Sequence, residues 1–268
     1  MAFTAKKISA TVRMNRMNSA DVRTVQELLN GLPARWGGPT IPLVVDGDCK
    51  SKSVDSIKAV QRRYFTFEDG AVDPNGLTLG LLNEANAYKD AHGAPGATHT
   101  VTTGAGVVAQ SQSSPLRCWA TAAAMLLTWR EGVKYSPSQA AAEGGAEFTM
   151  YFDQDLGLVP KTSLLTDYLE AIGMYAADSE LTANSPHGWK GMLADRRPIG
   201  VVLRKSSGFH VRVVTGLSGD GTIYGTDVQI VDPDGGRRYN ESFRKFAALY
   251  AATAGTLADG RIWRFDMV

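Results

Sequence analysis

Cys118 opens a run of helix-forming residues, and a cysteine in the first turn of a helix is well placed to be a nucleophile. Unpaired backbone N–H groups and the positive end of the helix dipole favour the thiolate, the form that attacks a carbonyl carbon. Taken alone, a solitary cysteine more often serves as a small buried apolar residue. Its surroundings argue for chemistry instead. Gln112 lies six residues upstream across a short loop. A side-chain amide there can aim an N–H at a substrate oxygen as it becomes negative, with the Cys118 backbone N–H as second donor. Gln110 is the rival, and spacing favours Gln112.

A base lies further along the chain. Pro198–Leu203 reads as a buried strand, Lys205–Gly208 as a turn, and Phe209–Val214 as a second strand with His210 at its start. Leu217–Gly225 suits a hairpin loop, and Asp227–Val231 returns as a strand ended by Asp232-Pro233. In an antiparallel pair the start of one strand lies beside the end of the next. His210 and Asp232 are therefore expected at one edge, on a register centred near Gly221. A carboxylate there can accept the imidazole N–H, set its tautomer and stabilise the imidazolium. Asp227 and Asp234 are rival carboxylates. His92 and His99 fall in a linker and His187 in a loop, all without strand context. Two distant cysteines and scattered histidines give no metal-ligand spacing, so neither a metal nor a cofactor is expected.

The elements that must position these groups follow from hydrophobic period. Ala122, Met125, Leu126 and Trp129 recur at helical spacing, so one side of the Cys118 helix is expected to face a core, and Gly132 can end it. Ala91–Ser114 is rich in Gly, Ala, Ser and Thr and reads as a linker. The expected division is residues 1–90, a linker over 91–109, and a larger domain over 110–268. In the first part, Val22, Val25, Leu28 and Leu29 form one stripe, with Asn18 or Ser19 as N-cap. Val54, Ile57, Val60 and Tyr64 form a second. A third helical run, TLGLLNEANAY, is shorter. The turn-forming pieces VVDGDCKSKS and DGAVDPNG separate them.

Composition narrows the function classes. The chain has 268 residues, 44% of them hydrophobic, and 28 Lys and Arg against 27 Asp and Glu. That is enough apolar material for packed cores, and the balanced charge implies no affinity for nucleic acid or anionic membrane. No stretch reaches the roughly 18 apolar residues of a membrane span, so no membrane insertion is expected. The first residues lack the apolar run of a secretory signal, which implies a cytoplasmic protein or one exported by a specialised machine. Two cysteines, Cys49 and Cys118, are too few for a disulfide scaffold and read as thiols. Cys49 falls in a polar loop and reads as a bystander.

Two resemblances appear. Over about residues 18–88 the order of a helix, Val45-Asp46-Gly47, Ser53-Val54 leading to Val60-Gln61, Asp69-Gly70-Ala71-Val72, and Leu77, Leu81, Leu82 resembles the bacterial peptidoglycan-binding domain. The insertion Ala34–Pro42 lengthens its first loop, and Asp48–Lys52 replaces an aromatic and a glycine usual there. The alternative is a docking or spacer module. Over 110–268, Gln112, Cys118-Trp119, Gly208-Phe209-His210-Val211, Val213-Val214, Gly216 and Val231-Asp232-Pro233 resemble the papain-like cysteine peptidases, in the bacterial branch of bacteriocin-processing (C39-like) and AvrRpt2-like enzymes. Arg117 stands where that branch often has an aromatic or small residue, which bears on the substrate pocket.

These resemblances imply an α+β chain: a three-helix peptidoglycan-binding-like domain, then a papain-like domain whose helical half carries the cysteine and whose antiparallel sheet carries the histidine and aspartate. They imply Cys118 as nucleophile, His210 as base and then acid, Asp232 as orienter and Gln112 as oxyanion donor. The implied function is amide hydrolysis through a thioester. The pairing of domains points to the bacterial cell wall, with peptidoglycan peptides as substrate, action in the periplasm or outside the cell as an antibacterial effector toxin, and a cognate immunity or inhibitor protein as partner. A protein-directed cysteine peptidase and an inactive wall-binding protein are the alternatives.

Overall fold

Helix α1 (Ala20–Gly31) buries Val22, Val25, Leu28 and Leu29, the stripe that a 3.6-residue period assigns to one face. The computed structural model describes residues 3–17, 19–93, 96, 99–102, 106–158, 163–176, 185–193, 197–205, 208–254 and 264–267. The chain divides into two compact units, Met1–Ala97 and Thr98–Val268.

The first unit holds α1, α2 (Ser51–Tyr64) and α3 (Leu77–His92), and α2 buries Val54, Ile57, Val60 and Tyr64. Ser19 occupies the N-cap of α1 without a side-chain cap bond, and Asn18 lies outside the described residues. The third run is not short. At 16 residues α3 is the longest of the three, because Leu79, Leu81, Leu82 and Ala85 keep one side of it buried.

Two glutamines reveal an internal repeat in this unit. Gln26 Nε2 donates to Asp46 Oδ1 at 2.8 Å and to Ser53 Oγ at 3.3 Å, while its Oε1 accepts from Gly47 N at 3.0 Å. Gln61 does the same one helix later, with Asp69 Oδ1 at 2.7 Å, Thr78 Oγ1 at 3.2 Å and Gly70 N at 2.8 Å. Each buried amide ties an Asp-Gly turn to the start of the next helix, and so satisfies backbone groups that the turn takes out of water. Cys49 is not a polar-loop residue. It is fully buried beside the first turn, its backbone bonded to Asn15 and Arg16, and burial pushes its thiol pKa up.

The second unit is α+β. Its sheet is antiparallel throughout the described pairings, in the order β2-β7-β3-β4-β5-β6, with β1 beside β4 as well. The strands are β1 (His99–Thr102), β2 (Met174–Ala176), β3 (Ile199–Lys205), β4 (Gly208–Gly219), β5 (Thr226–Asp232), β6 (Arg237–Ser242) and β7 (Arg264–Met267). Helix α4 (Cys118–Glu131) packs on one face, where Trp119, Met125 and Leu126 meet Val202, Val211, Val213 and Val231. Helices α8 (Pro186–Leu193) and α9 (Phe243–Ala254) cover the other. There Trp189, Phe243, Phe246 and Tyr250 meet Val201, Val214, Val228 and Ile230. Shorter helices α5 (Pro137–Glu143), α6 (Ala146–Asp153) and α7 (Ser163–Ala171) lie between α4 and β2 in chain order.

Three expectations change here. The Cys118 helix does not have one buried side, since every residue from Cys118 to Thr128 is buried and α4 is a central element. The expected linker is partly structured: α3 runs to His92, His99–Thr102 forms β1 against Gly216–Gly219, and Val107 is buried. A strand held through backbone bonds needs no apolar side chains, so its composition resembles a linker. Gly216 permits that approach, for a Cβ there would lie 2.4 Å from Val101 O. Accordingly His99 is a strand residue and His187 lies in the first turn of α8, not in a loop.

Candidate active site

Cys118 is the first residue of α4, after a single 3₁₀ turn over Pro115–Arg117 that Ser114 caps by accepting from Leu116 N. Its thiol sits at the N-terminus of α4, at the positive end of the helix dipole, and the residue is 6% exposed. Arg117 does not enter the cleft as a specificity group. Its guanidinium pairs with Asp155 at 3.2 Å, donates to Ser113 Oγ and lies over the Phe152 ring. Trp119 anchors the turn from below, its indole N–H on Leu156 O and its ring edge-on to Tyr168. Neither Cys118 nor Cys49 forms a disulfide.

A cleft of about 520 Å³ opens over Cys118, lined also by Gln112, Phe209, His210 and Asp234. His210 is buried, and its Nε2 meets Asp232 Oδ1 at 2.6 Å. That bond commits Nε2, so Nδ1 is the nitrogen left for proton transfer at the cleft. The register differs from the expected one. β4 and β5 pair Val213 with Val231, and one further step sets Asp232 across from Arg212. His210 lies one pleat away, and it meets Asp232 diagonally because both point to the same side of the sheet. A bulge at Thr215 sets which side Asp232 takes, for Val214 pairs with Ile230 but Gly216 with Gln229, and without that extra residue Asp232 would stand across from Val213.

Asp232 is built to stay ionised. Burial works to raise its pKa, but this is outweighed by hydrogen bonds from His210 and the Asp234 N–H, the charge of His210 and the Tyr239 hydroxyl, which hold it down at about 2. Asp234, the nearer rival, gives its backbone N–H to Asp232 and its side chain to the cleft lining. Asp227 pairs with Ser218 at the far end of β5.

The turn after Asp232 also places Gln112. Pro233 O accepts from Gln112 N at 2.8 Å. Gly236, at φ +60°, brings the turn so close to the Gln110–Ser111 backbone that a Cβ would lie 3.1 Å from Ser111 N. Gln112 is half-buried and its Oε1 is buried with no hydrogen-bond partner among the described residues. Gln110 is committed elsewhere, donating to Tyr135 O. The structure therefore brings Gln112, Cys118, His210 and Asp232 together and leaves Gln110 and Asp227 out.

The sequence model of a family described as papain-like cysteine protease AvrRpt2 matches residues 100–251, more than half of the chain. The chain belongs to this family of papain-like cysteine proteases. No curated protein matches it. This papain-like protease is a cysteine peptidase, and its second unit has the α+β arrangement expected of it: a cysteine at a central helix N-terminus and a histidine on an antiparallel sheet. Three residues that surround Asp232 escaped the sequence reading. Tyr239 donates to Asp232 Oδ2 at 3.1 Å, and Arg212 donates to Tyr239 Oη at 2.8 Å and to Glu241 at 3.1 Å. Their signal was an arginine inside the apolar run Val211–Val214, where an unpaired charge is costly. Among the described residues of the protease, no group of His, Cys, Asp and Glu could hold a metal ion. No described helix is long and apolar enough to cross a membrane.

Proposed function

We propose that Cys118 is the nucleophile, His210 the general base and then acid, Asp232 its orienting carboxylate, and Gln112 an oxyanion donor in the hydrolysis of peptide bonds in polypeptides. The observation that carries this reading is the 2.6 Å His210–Asp232 contact lining the same cleft as a cysteine at a helix N-terminus. His210 takes the Cys118 proton on Nδ1, and the thiolate attacks the substrate carbonyl carbon. Gln112 and the Cys118 backbone N–H hold the resulting oxyanion. His210 then protonates the leaving amine, which departs and leaves a thioester. Water, deprotonated by His210, attacks the thioester and releases the acid product and the thiolate.

The substrate class follows from the cleft wall. Leu116, Leu158, Leu165, Val202 and Phe209 line it, so a peptide with a bulky apolar side chain fits better than the small and charged residues of a wall stem peptide.

A second reading keeps the same chemistry and directs it to the cell wall. It is supported by the first unit's resemblance to a peptidoglycan-binding domain and by its doubled Gln-to-Asp-Gly arrangement. On this reading the protein is exported by a specialised machine, acts in the periplasm or outside the cell as an antibacterial toxin, and is neutralised in the producer by an immunity protein.

One experiment separates them. Wild type and Cys118→Ala are incubated with a peptide library and with purified peptidoglycan sacculi, and new amine termini are mapped by mass spectrometry. Cysteine-dependent cuts in library peptides bearing large apolar residues support the first reading. Cuts confined to sacculi support the second. If neither digest depends on Cys118, the assignment of the nucleophile fails.

A further inference from the structure

Arg212 and Asp232 occupy facing positions on neighbouring strands, one step beyond the Val213–Val231 pair. A guanidinium and a carboxylate so placed, both buried, ordinarily form a direct and often bidentate pair. Here they do not. Arg212 Nη2 pairs with Glu241 at 3.1 Å and its Nη1 donates to the Tyr239 hydroxyl at 2.8 Å. The hydroxyl donates in turn to Asp232 Oδ2 at 3.1 Å. The side chains of Arg212 and Glu241 are only 6% and 9% exposed, and the arginine sits over the Phe246 ring.

We propose that Tyr239, Arg212 and Glu241 are positioning residues of the peptidase, with the Tyr239 hydroxyl standing between Arg212 and Asp232 so that His210 is the one ionic partner of the carboxylate. This rests on the assignment of His210 and Asp232 made above. The charges give the reason. Asp232 and Glu241 carry two negative charges and Arg212 one positive, so the buried cluster has one negative charge to spare, beside His210. That charge favours the imidazolium, the partner of an attacking thiolate. Were Arg212 to pair with Asp232 directly, the spare charge would move to Glu241, farther from the imidazole. The hydroxyl stays a donor throughout the working range, since burial pushes its pKa up, more than Arg212 lowers it, to about 12.

The test uses pH profiles of kcat and kcat/KM on a cleavable peptide for full-length wild type, Tyr239→Phe, Glu241→Gln and Arg212→Lys, with Asp232→Ala as reference. Tyr239→Phe removes one oxygen. It should lower kcat about tenfold, leave KM within about twofold, and move the alkaline limb of kcat/KM down by about one pH unit. Glu241→Gln removes the spare charge and should move that limb the same way, and it reads the proposal even if Tyr239→Phe fails to fold. Arg212→Lys keeps the charge and should retain more of kcat than Tyr239→Phe. If both Tyr239→Phe and Glu241→Gln lower the melting temperature while the alkaline limb stays in place, the network is structural and the proposal is overturned. If Asp232→Ala itself leaves kcat unchanged, it is the assignment of Asp232 that fails.

Discussion

Asp232 Oδ1 lies 2.6 Å from His210 Nε2 although the residue across the strand pair from Asp232 is Arg212. The contact is a diagonal one, and it exists because His210, Arg212 and Asp232 all point to one side of the sheet. A slip of one residue in β5 would send the carboxylate to the α4 side, among Val211 and Val213, and break the pair without altering a single site residue.

Acid stability should carry the mark of Asp232. Its carboxyl is held at about 2 in the folded chain, below its ordinary 3.8, because the His210, Asp234 and Tyr239 bonds outweigh burial. The folded value is the lower one. The stabilisation is therefore complete above about pH 4 and is lost as pH falls toward 2, with a magnitude of about 2 kcal/mol. Denaturant midpoints of wild type and Asp232→Asn, measured from pH 5 to pH 2, should converge as the pH drops. Parallel curves would show that the carboxylate contributes no such term.

Gln112 should act on the chemical step more than on binding. Gln112→Ala is expected to lower kcat by about 10²–10³-fold with KM nearly unchanged, the range for loss of one oxyanion donor. Gln112→Glu places a negative charge beside the developing oxyanion and should be worse than alanine. An effect confined to KM would mean that Gln112 holds substrate and not the oxyanion.

Gly236 links stability to catalysis. Its φ of +60° and the 3.1 Å approach of a Cβ to Ser111 N make valine doubly unfavourable there. Gly236→Val should cost about 2 kcal/mol, a fall in melting temperature of about 4–8 °C. Because the same turn holds Gln112 through Pro233 O, kcat should fall as well. A stability loss with kcat untouched would uncouple the turn from the oxyanion donor.

In the first unit, Gln61→Leu would leave Asp69 Oδ1, the Gly70 N–H and Ala71 O without their amide partner. The expected cost is about 1–3 kcal/mol, mostly from the buried Gly70 N–H, since Asp69 is exposed and Ala71 half-buried. Hydrogen exchange should report it as faster exchange at Gly70 and Ala71. Unchanged exchange there would show that the turn holds without Gln61.

How much of this was legible depended on the range of the forces involved. The helices of the first unit were readable because Val22, Val25, Leu28 and Leu29, then Val54, Ile57, Val60 and Tyr64, repeat with the period of a helix. The match of Gln26 to Asp46-Gly47 and of Gln61 to Asp69-Gly70 was not, because loops of different length separate the partners. β1 was read as linker because its hold on β4 is made by backbone atoms, which leave no trace in side-chain pattern. The all-round burial of α4 was hidden as well, since its alanines are compatible with either a surface or a core.

The sequence by itself determined which groups could do chemistry and where local structure would put them. It set a cysteine at a helix start, a glutamine a short loop before it, and a histidine and an aspartate at the ends of two strands joined by a hairpin. These are short-range facts, carried by helix period, turn residues and strand alternation. Only the tertiary structure decided which carboxylate meets the histidine, which glutamine lines the cleft and which further residues surround them. The bulge at Thr215, the approach of Gly236 to Ser111 and the Arg212–Tyr239–Asp232 chain depend on strand register and close packing between segments distant in sequence. Differences of one residue or a few tenths of an ångström decide them, and no local pattern encodes those.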